Sequence, residues 1–159
     1  MSAENKTGEL LGLGAGSRLT PSVRAFRTAL TLAQKLRYAM DERLRVDGLT
    51  TQQAALITVV TALGKPSLAE AAAVLGSTHQ NVAQIVAALV RKELLQVEPD
   101  PADRRRKLLS ATERSAEYWR QRDDGDFAAV AGWFGELSAA ELETFCDLSD
   151  RVIANLAGA

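Results

Sequence analysis

Residues 76–110 read GSTHQNVAQIVAALVRKELLQVEPDPADRRRKLLS, and this stretch decides the fold. Its first half predicts a helix that begins after Thr78, because Thr is a good N-cap and apolar residues then recur at intervals of three and four. The predicted buried stripe contains Val82, Ile85, Val86, Leu89 and Val90. The opposite face has amides and small residues where lysine and glutamate are usual, and it contains Gln80, Asn81, Gln84, Ala87, Ala88 and Arg91.

The second half of the stretch predicts a β-hairpin with a basic edge. Residues 94–97 form its first strand, residues 106–109 form its second, and two prolines and two aspartates in residues 98–103 favour a turn between them. A basic run follows the turn and contains Arg104, Arg105, Arg106 and Lys107. A helix followed by a basic hairpin is typical of a winged helix. The helix of such a domain enters the major groove of double-stranded DNA, and the hairpin meets the backbone or the minor groove.

Side-chain chemistry indicates which residues would contact DNA. Asn and Gln amides can pair with an adenine edge, and Arg and Lys neutralise phosphates. The predicted DNA-binding residues are Thr78, His79, Gln80, Asn81, Gln84, Arg91, Arg104, Arg105, Arg106 and Lys107. On a strand, alternate members of the basic run would point to opposite faces, and spacing does not say which arginine enters the minor groove. The alternative is a solvated helix face with a basic edge that prevents strand pairing.

These residues resemble the DNA-binding half of the MarR family of bacterial winged-helix regulators. The match runs through LGSTHQNVAQIVAALVRK and DPADRRRKL, and the order of the helices extends it over residues 21–157. The resemblance implies that Asp103 and Arg105 pair to shape the wing, and that a wing arginine reaches the minor groove. Two positions depart from the family pattern. Glu93 replaces a glycine that ends the recognition helix, which leaves a different helix ending open, and Gln84 stands where the family often has arginine.

The whole chain predicts a mainly α fold with a small β-hairpin wing. A winged helix-turn-helix lobe occupies residues 49–112, and residues 1–20 form a flexible N-terminal arm. Amphipathic helices are expected in residues 21–48 and 113–157, and the resemblance identifies them as a dimerisation region. The alternative is that these helices complete a monomeric bundle. The last region is expected to be interrupted at Gly125 and Gly132.

Charge is distributed unevenly along the 159 residues, although the net charge is only −1. Residues 21–45 carry six basic and two acidic groups, residues 91–107 carry six and four, and residues 108–159 carry four and ten. Phosphate binding needs a local basic surface, so the acidic total does not exclude a DNA partner. Ordinary solvated faces are the alternative.

Features of other protein classes are weak in this sequence. No apolar run approaches the ~18 residues of a membrane span. A single cysteine and the lack of a convincing signal peptide favour the cytoplasm. One histidine, one isolated cysteine and no glycine-rich phosphate loop indicate neither an enzyme nor a metal site, and no cofactor is expected. Cys146 is expected to be buried or interfacial.

By resemblance, a pocket for a small organic effector is expected, with Phe26, Tyr38 and Trp119 as its candidates, and core packing is the alternative.

The sequence therefore predicts a homodimeric, sequence-specific DNA-binding transcriptional regulator. Two winged helices about one helical turn apart would read a pseudo-palindromic operator with more affinity than one. The resemblance adds a repressor that a small-molecule effector relieves. The alternative is a winged-helix interaction module whose basic wing contacts an acidic protein surface, and salt-dependent DNA binding discriminates the two.

Overall fold

The computed structural model describes residues 19–157, so residues 1–18 of the expected arm lie outside the described part. The helices in chain order are α1 (Pro21–Leu44), α2 (Thr51–Leu63), α3 (Leu68–Val74), α4 (His79–Arg91), α5 (Glu113–Trp133) and α6 (Ala139–Ala157). Between α4 and α5 lie the strands β1 (Leu95–Pro99) and β2 (Lys107–Ala111). A short 3-10 turn, Arg45–Asp47, follows α1. The mainly α winged-helix fold with a hairpin is confirmed.

The described chain divides into two compact units at Ala111. The first unit contains α1, the three helices α2 to α4 and the hairpin, and the second contains α5 and α6. The assignment of residues 21–48 and 113–157 to one dimerisation region stays a prediction.

The starts of the short helices are encoded locally. The Thr50 hydroxyl accepts a hydrogen bond from the Gln53 amide at 3.3 Å, and the Gln53 side chain accepts one from the Thr50 amide at 3.3 Å. Ser67 and Glu70 form the same reciprocal capping box at the start of α3. Each box satisfies two amides that the helix leaves without partners, and all of its groups lie within four residues.

The core of the first unit gathers side chains from four helices and the hairpin. Its least exposed members are Leu44, Leu56, Ile57, Val60, Ala71, Val82, Leu89, Leu95 and Leu109. The predicted stripe of α4 is buried except at Val90, which is 41% exposed. The inclusion of Val90 in that stripe was therefore wrong. At 100° per residue Val90 lies about 100° from Leu89, outside the buried arc.

The hairpin is antiparallel and is attached to the loop that joins α2 and α3. Its register pairs Val97 with Leu109, and the Leu109 amide also donates to the Pro66 carbonyl at 2.8 Å. On the β1 side, the Lys65 ammonium lies 3.0 Å from the Glu98 carboxylate. The base of the wing is therefore connected to the helix-turn-helix on both strands.

The second strand begins one residue later than the sequence indicated, at Lys107, and the arginines before it lie in the turn. The Asp100 carboxylate accepts from the Ala102 amide at 2.8 Å, and the Asp103 carboxylate accepts from the Arg105 amide at 3.0 Å. Such aspartate bonds to nearby amides hold a chain in turns. The expectation that these arginines alternate between strand faces was therefore wrong.

The second unit has a long helix and a helix with an exposed apolar face. α5 continues through Gly125 without a break and includes Gly132 in its last turn, so the interruptions expected at both glycines were wrong. Ser138 and Glu141 form a capping box just before α6, and Cys146 on α6 is exposed in the isolated chain, not buried. The exposed apolar residues of α6 are Phe145, Leu148, Val152, Ile153 and Leu156. No helix within residues 19–157 is long and apolar enough to cross a membrane.

Candidate nucleic-acid interface

The recognition helix α4 begins at Thr78, which acts as its N-cap. The Thr78 hydroxyl accepts a hydrogen bond from the Asn81 amide at 3.2 Å, and the Asn81 side chain donates to the Ser77 hydroxyl at 2.8 Å. Two of the predicted DNA-binding residues thus also hold the start of the helix in place. Asn81 is half-buried, which leaves the neighbouring amides more accessible than its own.

The exposed face of α4 is a single stripe of polar and small side chains. Gln80, Gln84, Ala87 and Arg91 follow one another at intervals of four, three and four residues, and all four are exposed. That spacing places them on one side of the helix, opposite the buried stripe. The helix thus presents two glutamine amides and one guanidinium along about 17 Å of its length.

Glu93 takes the conformation that glycine usually supplies after a helix. Its φ is +59°, its amide donates to the Val90 carbonyl at 3.0 Å, and the Leu94 amide donates to the Leu89 carbonyl at 3.0 Å. The Leu94 bond is the six-to-one bond of a Schellman motif, and the Glu93 bond is its five-to-two bond. The replacement of glycine therefore leaves the helix ending unchanged, and the different ending left open by the sequence is not observed.

A groove separates α4 from the hairpin and brings the two predicted contact elements to one side of the unit. Its volume is about 490 Å³. Arg91 from α4 and Lys107 from β2 both border it. The other lining residues are Leu68, Ala83, Val86, Ala87, Val90, Val97 and Leu109. The helix stripe and the wing therefore form neighbouring edges of one surface, which the sequence order alone could not establish.

The tip of the wing projects one arginine almost completely into solvent. Arg105 is 93% exposed in its side chain, and its Nε lies 3.2 Å from Asp103 Oδ1. Arg104 beside it is also exposed. An exposed guanidinium held at its base by a carboxylate is suited to reach a phosphate or a groove.

Arg106 differs from the other two arginines because it turns back to the helix-turn-helix. Its Nη2 donates to Glu70 Oε2 at 2.7 Å. The amide of Ser67, then its hydroxyl, then Arg106 lower the pKa of Glu70 to about 2. Glu70 in turn raises the pKa of Arg106. No pattern in the basic run could have identified this pairing, because the partners are 36 residues apart.

The candidates for an effector pocket are not gathered within the first unit. Phe26 and Tyr38 lie on α1, both exposed and about 18 Å apart along the helix. Tyr38 borders a cavity of about 240 Å³ whose other lining residues are Gln34, Arg37, Asp41, Thr50 and Gln52. Trp119 lies on α5 in the second unit, edge to face with Tyr118 at 4.8 Å. The effector pocket stays a prediction.

The described part of the chain lacks a set of side chains that could bind a metal ion together. Residues 19–157 contain no group of three or more His, Cys, Asp or Glu side chains placed to hold an ion. His79 lies exposed at the first position of α4, beside the other candidate contacts.

Comparison with known proteins gives the same fold. The chain is similar to a MarR/EmrR family transcriptional regulator from Acinetobacter sp. ADP1, with a TM-score of 0.78, 18% identity, and coverage of 89% of this chain and 100% of that one. A MarR protein from Peptoclostridium difficile has a TM-score of 0.79, 16% identity, and coverage of 91% and 96%. A mutant MarR from E. coli complexed with operator DNA has a TM-score of 0.73, 21% identity, and coverage of 79% and 91%.

The family evidence is concentrated in the winged helix. Residues 47–106 match the model of the MarR family, and this segment contains α2 to α4, β1 and the wing tip. A search of curated proteins found no match. The winged helix of this chain is therefore similar to that of the MarR family, and the described chain has the fold of solved MarR-family proteins.

Proposed function

We propose that the protein is a homodimeric, sequence-specific DNA-binding transcriptional regulator in the cytoplasm, a repressor that a small-molecule effector relieves. One observation carries the DNA-binding part. Ala87 and Arg91 of the exposed α4 stripe border the same groove as Lys107, which follows the wing tip. The solved E. coli relative complexed with operator DNA supports the same assignment.

Base recognition is assigned to the stripe on α4. Gln80 and Gln84 carry side chains that can both donate to and accept from an adenine edge. Ala87, one turn further along, leaves room for close approach to the groove floor. Thr78 and His79 at the helix start lie where backbone amides favour a phosphate.

Backbone or minor-groove contact is assigned to the wing tip. Arg104 and Arg105 are exposed, and each cation that neutralises a phosphate contributes about 0.9 to the slope of log affinity against log salt concentration. In a dimer, Arg105→Ala removes two such charges. The slope is then expected to fall in magnitude by about 1.8. The loss of affinity between 50 and 200 mM salt therefore becomes roughly tenfold smaller than in the wild type.

A second copy of the chain is the proposed partner of the apolar face on α6. Leu148, Val152 and Leu156 recur at intervals of four on that helix and are exposed in the isolated chain. Contiguous exposed apolar residues mark protein interfaces, and symmetric dimers are the commonest closed assembly of soluble proteins. A symmetric dimer presents two recognition helices, which matches a pseudo-palindromic site.

The DNA-binding proposal is tested by selection from a random duplex pool, followed by fluorescence anisotropy across a salt series. Enrichment of a pseudo-palindrome, with affinity falling as salt rises, is expected. Arg105→Ala should flatten the salt slope, whereas Gln84→Ala should leave the slope unchanged and relax the preference at one base pair. Unchanged affinity in Arg105→Ala would reject the wing assignment. Weak binding without enrichment would favour the protein-interaction alternative.

The dimer proposal is tested by analytical ultracentrifugation of Ile153→Asp. A charge placed in an apolar interface should raise the dimer dissociation constant by at least about a hundredfold. Ala154→Asp introduces the same charge at an exposed position on the side of α6 opposite Val152 and Leu156, so it is the matched control and should stay dimeric. Wild-type dimerisation of Ile153→Asp would show that this face is not the interface.

A further inference from the structure

Arg106 is directed differently from its neighbours in the basic run. Its side chain is 47% exposed, compared with 93% for Arg105. Its Nη2 bonds Glu70 Oε2 at 2.7 Å, and its Nε lies 3.8 Å from Asp100 Oδ2. The guanidinium therefore lies between a carboxylate of α3 and a carboxylate of the wing.

The carboxylate that receives Arg106 is itself fixed by a rigid element. Glu70 Oε2 accepts from the Ser67 amide and from the Ser67 hydroxyl, both at 2.7 Å, as part of the α3 capping box. Ser67 also forms a β-bridge with Leu108 of the second strand. Glu70 thus lies at the junction between α3 and the hairpin and stays ionised at neutral pH.

The same arginine closes the turn that carries the exposed arginines. The Asp100 amide donates to the Arg106 carbonyl at 2.9 Å, and the Arg106 amide donates to the Asp103 carbonyl at 2.8 Å. The backbone of Arg106 therefore closes the loop that contains Arg104 and Arg105. A shift of Arg106 relative to α3 would move both exposed guanidinium groups.

We propose that Glu70, Arg106 and Asp100 form a wing clamp, in which Arg106 positions the hairpin tip against α3 instead of contacting DNA. The proposal corrects the assignment of Arg106 among the DNA-binding residues and leaves Arg104 and Arg105 as the contacts of the tip. Its consequence for DNA binding rests on the proposed function. The clamp itself is a property of the free protein and can be measured there.

The first experiment measures hydrogen exchange by NMR in the free, full-length protein. Glu70→Gln keeps an acceptor for the capping box but removes the charge that holds Arg106, and Arg106→Ala removes the guanidinium. Exchange of the Asp100 amide is expected to accelerate by about two- to fivefold in each variant, and in the double variant by no more than in the faster of the two. Arg104→Ala removes an equal charge from the tip and is the matched control, with exchange unchanged.

Two results of this experiment would overturn the clamp. One is an Asp100 exchange rate that stays at the wild-type value in both Glu70→Gln and Arg106→Ala. The other is an acceleration of the same size in Arg104→Ala, because the effect would then follow from charge alone.

The second experiment measures affinity for the selected duplex, or for the unselected pool if selection returns none. Glu70→Gln removes a negative charge beside the wing. If Arg106 contacted a phosphate, this change would tighten binding, whereas the clamp predicts binding weakened by about two- to fivefold per wing. Tighter binding of Glu70→Gln would reject the clamp and leave the proposed function standing. Accelerated exchange in a protein that binds neither duplex would support the clamp and reject the proposed function.

Discussion

Glu93 gives a stability prediction whose sign can be derived from the backbone. It is the one non-glycine residue with positive φ among residues 19–157, and it ends α4 through two Schellman hydrogen bonds. A Cβ in this conformation meets the following carbonyl oxygen and costs about 1–2 kcal/mol. Glycine has no Cβ, so Glu93→Gly is expected to stabilise the protein.

The magnitude follows from two opposing terms. Removal of the Cβ clash stabilises the folded state by about 1.5 kcal/mol, and the greater freedom of glycine in the unfolded chain offsets about 0.7 kcal/mol of that gain. The net expectation is about 0.8 kcal/mol, or roughly a fourfold change in the folding equilibrium constant. With a typical urea dependence of about 2 kcal/mol per molar, the unfolding midpoint should rise by about 0.4 M.

Urea unfolding, followed by circular dichroism at one protein concentration, measures this shift. Glu93→Ala is the matched control, because it removes the carboxylate but keeps the Cβ, so the difference between the midpoints of Glu93→Gly and Glu93→Ala measures the backbone effect alone. A midpoint of Glu93→Gly at or below that of Glu93→Ala would refute the reasoning, since the left-handed backbone would then carry no measurable strain.

Two further predictions concern the core and the α3 capping box. Leu89→Ala should lower the free energy of unfolding by about 2–5 kcal/mol in urea titrations, because Leu89 is fully buried. Val90→Ala, on the exposed side of α4, should change the free energy of unfolding by less than about 1 kcal/mol. Equal losses in the two variants would contradict the observed burial. The pKa of Glu70 is lowered from 4.5 to about 2, so its contribution is present above pH 4.5 and is lost as the pH falls toward 2. Unfolding titrations from pH 7 to pH 2 should therefore show the advantage of the wild type over Glu70→Gln shrinking between pH 4.5 and 2, and a constant difference would contradict the lowered pKa.

Much of the winged helix could be predicted because its signals are local. The capping boxes at Thr50 and Ser67 join groups within four residues, and the α4 stripe follows from the 3.6-residue period. The turn between the strands follows from proline and aspartate chemistry. Two local predictions were wrong. Val90, at the edge of the apolar stripe, was assigned to the core but is exposed, and Gly125 was expected to break α5 but lies within the continuous helix.

The roles within the candidate site were less predictable. Spacing identified the basic run but could not say which arginine is exposed and which pairs within the protein. The strand begins only at Lys107, and the turn before it directs Arg105 into solvent and Arg106 toward Glu70. The position of the groove between α4 and the hairpin likewise depends on how two elements pack, which no pattern along the chain encodes.

The sequence by itself determined the order and type of the elements of the winged helix, because propensities, caps and turns act between residues close together in the chain. Only the tertiary structure decided that Glu93 takes a left-handed conformation and that Arg106 pairs with Glu70, 36 residues away. The hydrogen bonds that close the end of α4 hold Glu93 against its own preference, and the Arg106 pair depends on the hairpin lying against α3. The physical reason is that long-range contacts select among conformations that local energies leave within a few kcal/mol of one another.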